Sequence, residues 1–157
     1  MIDVLIGIDP GQTGAIACLE DGKVVAVSDM PTSGKSHGKG QEVDAYELSS
    51  ILMGMKSGKE ATVIIEQVGA MPGNGGTSMF GFGDSFGVIR GVCGALQLPV
   101  RRVRPQHWKR KAGIINKDKD AARGLAIQRH PEVSDMLKRK KDCGRADAIL
   151  IAEFGGI

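Results

Sequence analysis

The chain has 157 residues, 41% of them apolar and 25% charged, which allows one ordinary hydrophobic core and leaves no length for a second, so one compact domain over residues 1–157 is expected. A formal net charge of +3 is too small to prove a nucleic-acid partner, and aromatics at 4% with 23 glycines predict an aliphatic core with Gly-rich loops. Cys18, Cys93 and Cys143 are odd in number, far apart and without a C-x-x-C pair, which argues against a disulfide framework or a zinc site and fits a reducing cytoplasm.

Val4 to Ile8 is a short, largely β-branched run stopped by Pro10-Gly11, so Asp9 should end a strand. Ala15 to Leu19 and Lys23 to Val27 flank Glu20-Asp21-Gly22, a hairpin signal, and three antiparallel strands are expected to open the fold. Pro31 to Gly40 is polar and Gly-rich and reads as a mobile loop. Asp44 followed by Glu47 marks a helix start, with Leu48, Ile51, Leu52 and Met55 on one face and an end near Gly58. Ala61 to Ile65 is a buried strand that delivers Glu66 at its C-terminal end.

After a loop from Gly69 to Gly76, Phe82, Phe86, Ile89, Cys93 and Leu96 recur at helical spacing, a stripe suited to core or dimer contact. Pro99 to Val103 gives a short strand ending at Pro105, and Asn116 or Asp118 is placed to cap a helix running toward Arg129. A last helix carries Ala146 to Ala152 and stops at Gly155-Gly156. The order of strands and helices predicts an α/β mixed sheet with helices on its faces. No apolar run approaches the roughly 20 residues a bilayer span needs, and Asp3 and Asp9 interrupt any leader, so no membrane partner is expected.

Basic residues are concentrated. Arg101 to Lys119 holds Arg104, Lys109 and Lys119 among eight cations against the single acid Asp118, and a second run covers Lys138, Arg139, Lys140 and Lys141. Such runs become phosphate-contact candidates beside a reason to meet phosphate. Strand ends are where ligands bind in open α/β sheets, and Asp9 and Glu66 both stand at such ends. Asp147 sits near the start of the final helix beside inward-packing Ala148, Ile149 and Ile151, and Asp142 lies just before that helix. Taken singly, each is readable as a solvated strand-end or helix-start acid. Acids clustered at one rim repel one another and are expected chiefly where divalent cations neutralise them, with hard Mg²⁺ or Mn²⁺ suiting an all-carboxylate site.

Ile6-Gly7-Ile8-Asp9-Pro10-Gly11 with Thr13-Gly14, Ile64-Ile65-Glu66-Gln67-Val68, and Gly144-Arg145-Ala146-Asp147-Ala148-Ile149 resemble the three acidic motifs of the RuvC Holliday-junction resolvases. Ser78 to Gly83, Arg104 to Lys109 and Asn116 to Lys119 resemble connecting segments of the phage and prophage members. The resemblance implies a ribonuclease H-like fold, with three antiparallel N-terminal strands, two further strands and helices on both faces. It also implies a homodimer on four-way DNA junctions and other branched DNA, and two-metal hydrolysis with Mg²⁺, replaceable by Mn²⁺, leaving 5′-phosphates. Asp9, Glu66 and Asp147 match the catalytic, metal-holding acids. Many members place a fourth acid three residues before the last, where Gly144 stands, so Asp142 is the expected substitute. Lys109 and Lys119 match basic residues facing the scissile region. Gly69 stands where bacterial members carry an aromatic near the crossover, leaving Met71 or Phe80 to wedge or stack instead.

Two other readings compete. Asp9 to Gly14 also resembles the phosphate loop of actin-like kinases and ATPases, but those bind nucleotide between two such domains and this chain has length for one. A junction-binding protein without cleavage is the non-enzyme alternative, and retention of Asp9, Glu66 and Asp147 speaks against it. Gly34-Lys35-Ser36 is no P-loop, because Asp29 stands where that motif needs its first Gly.

Overall fold

The structure, a computed structural model, describes residues 4–36, 38–69, 73 and 75–156. The expected opening meander is present as β1 (Val4–Asp9), β2 (Ala15–Glu20) and β3 (Lys23–Asp29), paired antiparallel in that order. Asp21 and Gly22 join β2 to β3 with φ of 49° and 76°, the positive values a two-residue hairpin turn requires. The segment expected as a mobile loop instead contains a second, two-stranded sheet, β4 (Thr32–Gly34) with β5 (Gln41–Val43). Its backbone pairing overrides a sequence with little strand propensity.

Helix α1 (Ala45–Lys56) starts where expected: the Asp44 carboxylate accepts a hydrogen bond from the Glu47 backbone N–H at 3.0 Å. β6 (Ala61–Glu66) pairs parallel with β1, α2 (Gly76–Ala95) follows, and β7 (Val100–Val103) pairs parallel with β6. A short helix absent from the sequence reading, α3 (Pro105–Ala112), comes next. α4 (Ala121–Arg129) starts after Asp120, later than the expected caps Asn116 and Asp118. Two 3₁₀ segments, Pro131–Leu137 and Lys140–Asp142, lead into α5 (Cys143–Phe154).

The main sheet has the order β3-β2-β1-β6-β7, with a core on each face. Alternation along β1 divides the labour. Val4, Ile6 and Ile8 join one core with Leu48 and Leu52 of α1 and Ile89 and Cys93 of α2. Leu5 and Ile64 belong to the other, built around Ala148 to Ala152 of α5. Gly7, on that second face, lies so close beneath α5 that an added Cβ would meet the Ala148 carbonyl and stand 2.6 Å from the Ala152 nitrogen. A glycine at this position lets the helix rest on the strand. Buried His130 shares a hydrogen bond of 2.9 Å with Glu153, a structural role, while His37 lies outside the described residues. No helix among the described residues is long and apolar enough to cross a membrane.

Candidate active site

Sheet parity brings the strand-end acids together. Asp9 is two residues beyond Gly7 and so projects to the α5 side; Glu66 is two beyond Ile64 and projects to the same side. The parallel register runs to Ile8 opposite Ile65, and one further step sets Asp9 beside Glu66. α5, seated on Gly7 through Ala148, adds Asp147 from above.

Their charges are mutually felt. Partial burial first, then repulsion from Asp147 and Glu66, pushes the Asp9 carboxyl up to about 8. Burial, then the Glu66 charge, pushes Asp147 up to about 7. Glu66 is also raised, by burial, against the pull of a hydrogen bond from Trp108 and the nearby Lys109 ammonium. Lys109 opposes the shift at all three acids, so it faces the same space. As the three carboxylates stand, no set of three His, Cys, Asp or Glu side chains among the described residues forms a ready ligand cage.

α3 contributes what the sequence reading missed. Pro105 at its first turn and Gly113 at its end, with φ of 78°, frame a helix too short and too basic to show an apolar period. Its fully buried Trp108 donates its indole N–H to Glu66 Oε2 at 2.6 Å, and the Lys109 Nζ lies 5.6 Å from the Trp108 ring centroid. The signal available was the isolated Trp within a cationic run, a large apolar group that must be buried somewhere.

Asp142 is held apart from the trio. Its side chain is 3% exposed and accepts hydrogen bonds from the Arg139 backbone N–H at 2.9 Å and guanidinium at 2.9 Å, with Arg145 at 3.7 Å. The Arg139 hydrogen bonds hold its carboxyl below the usual range. Arg145 in turn grips Asp29 through two hydrogen bonds of 2.8 and 3.0 Å. Cys143 and Gly144, directly after Asp142, form the first turn of α5. Gly144 is packed against the β1–β2 turn, where a Cβ would stand 2.8 Å from the Thr13 carbonyl oxygen and 3.3 Å from Gly14 Cα. An acid at 144 would displace that turn.

Of the other expected DNA-contact residues, Arg104 is exposed at the N-cap of α3, and Lys119 is exposed in the turn before α4. Lys140 and Lys141 are exposed on a 3₁₀ turn, and Phe80 is 79% exposed near the start of α2. Met71 lies outside the described residues.

The fold is that of RuvC, a ribonuclease H-like mixed sheet. A solved structure of T. thermophilus RuvC in complex with Holliday junction substrate superposes with a TM-score of 0.63 over 95% of this chain and 90% of that one, at 16% identity. A second Thermus thermophilus RuvC structure gives 0.54 over 98% and 95%, at 15% identity. In sequence, the chain is 37% identical over 90 residues to the chloroplastic Holliday junction resolvase MOC1 of Chlamydomonas reinhardtii. That match takes in 54% of this chain and spans only 10% of the relative's length. No protein-family model matches.

Proposed function

We propose that the protein is a structure-selective DNA endonuclease that cuts Holliday junctions, and other branched DNA, by divalent-metal-dependent phosphodiester hydrolysis leaving 5′-phosphates. The observation that carries this reading is the trio Asp9, Glu66 and Asp147 on one rim, each with its carboxyl pushed up and none neutralised by a paired guanidinium among the described residues. The donor set fits hard oxygen-seeking cations, Mg²⁺ with Mn²⁺ as substitute, and two ions per site are part of this proposal. When bound, they would supply positive charge and Lewis acidity at the phosphodiester. Asp9, Glu66 and Asp147 would hold them, with Glu66 kept in orientation by the Trp108 indole.

Lys109 faces the same rim and is placed to accept negative charge developing on a phosphate. The exposed cations Arg104, Lys119, Lys140 and Lys141 would provide the sequence-independent part of DNA affinity. The names of the similar proteins, RuvC with a Holliday junction substrate and a Holliday junction resolvase, favour the four-way junction as substrate. A homodimer would present two such rims to the paired strands.

Purified protein incubated with a synthetic immobile four-way junction, with and without Mg²⁺, tests the reading. Paired nicks in the junction but not in linear duplex, only with metal, are expected. A gel shift without nicking would identify a non-catalytic binder, and intact DNA with ATP turnover would favour the actin-like alternative.

A further inference from the structure

A cleft opens at the β1–β2 turn that follows Asp9 (Gly11, Gln12, Thr13), between that turn, Lys35 after β4, and the first half of α2 (Thr77, Ser78, Ser85). Its lining contains hydroxyls, an amide, one cation and the ring of Phe82, and no carboxylate among the described residues. We propose that this cleft seats a backbone phosphate of the DNA strand leading to the Asp9 rim, with Lys35 as its positioning cation; the inference rests on the nuclease reading above.

Three observations carry it. Lys35 makes no ion pair among the described residues, although its backbone is fixed by a 3.2 Å hydrogen bond to the Gly40 carbonyl across the β4–β5 ladder. An ammonium without an ionic partner is available to contact a phosphate. Ser85 is 2% exposed and lines the cleft, so its hydroxyl stands close to any group seated there. Finally, the Gln12 amide is tied by a 2.6 Å hydrogen bond to the Gln41 carbonyl, which locks the turn after Asp9 to the hairpin that presents Lys35. The β4–β5 hairpin is thus linked to the turn that follows Asp9, and a strand phosphate held by Lys35 would lie near that turn.

The discriminating experiment compares Lys35→Ala with Lys39→Ala, an exposed lysine of the same hairpin that does not line the cleft. Both remove one charge. Junction binding is measured in Ca²⁺ across a salt series, and cleavage in single turnover in Mg²⁺. Lys35→Ala is expected to weaken binding about three- to tenfold at low salt, flatten the salt slope by roughly one counterion, and slow cleavage, while Lys39→Ala stays near wild type. Ser85→Ala, which keeps the volume nearly constant, is expected to give a smaller loss of the same kind. Equal effects of the two lysine variants, with wild-type cleavage intact, would overturn this inference and leave the nuclease reading standing. Wild-type protein that neither binds nor cuts the junction would overturn both.

Discussion

Two groups of acids meet α5 and its approach, and they behave in opposite ways. Asp29 and Asp142 are gripped by Arg145 and Arg139 and have their carboxyls lowered by those guanidiniums. Asp9, Glu66 and Asp147 have no guanidinium partner among the described residues, press on one another and are all raised. The first group fastens the start of α5 to β3 and to the preceding 3₁₀ turn. The second stores negative charge at a rim where the fold gains nothing from it, the mark of a site arranged for a cation.

The comparison is broken most severely by removing the rim acids. Asp9→Asn, Glu66→Gln or Asp147→Asn is expected to lower junction cleavage by about two orders of magnitude or more with binding roughly intact. Near-normal cleavage by any one of them, in a single-turnover assay, would remove that residue from the site.

Stability should split the groups by sign. A carboxyl whose folded pKa is raised binds its proton more tightly in the native state, so its contribution is fullest below about pH 4 and is lost as pH rises through the folded value. With Asp9 at about 8 and Asp147 at about 7, metal-free protein should lose several kcal/mol of stability between pH 5 and pH 8. Asp147→Asn should flatten that slope and melt higher than wild type at pH 8. Asp142 is the reverse: its carboxyl is lowered, its contribution is present above about pH 4 and lost as pH falls below that, and Asp142→Asn should lower the melting temperature at pH 7. Thermal melts of both variants that shifted in the same direction would erase the distinction.

A smaller effect is expected at Trp108. Trp108→Phe keeps the buried ring and removes the N–H that orients Glu66, so Mn²⁺ affinity should drop about tenfold with little change in melting temperature. Smaller still, Lys119→Ala should only weaken junction binding a few-fold, whereas Lys109→Ala should slow the cleavage step, a division visible in single-turnover rates against binding isotherms.

Much of this was readable in advance. Pro10 after a β-branched run placed Asp9, the matching run to Ile65 placed Glu66, and the apolar face of α5 placed Asp147. Those signals are local and periodic. What escaped was α3, whose eight residues give one apolar anchor and no period, and with it the bond from Trp108 to Glu66 across 42 positions of sequence. The β4–β5 ladder escaped because its strands lack β-branched residues apart from Thr32 and Val43. Asp142 was drawn toward the metal by the resemblance. Arg139 and Arg145, three residues to either side, were the local signal that it would be neutralised in place.

Calorimetric titration of Mn²⁺ into metal-free wild type, Asp147→Asn and Asp142→Asn at pH 8 tests the division most directly. The account predicts binding to wild type, loss of most of it in Asp147→Asn, and near wild-type binding in Asp142→Asn. Equal loss in both variants, or no binding to wild type, would contradict it.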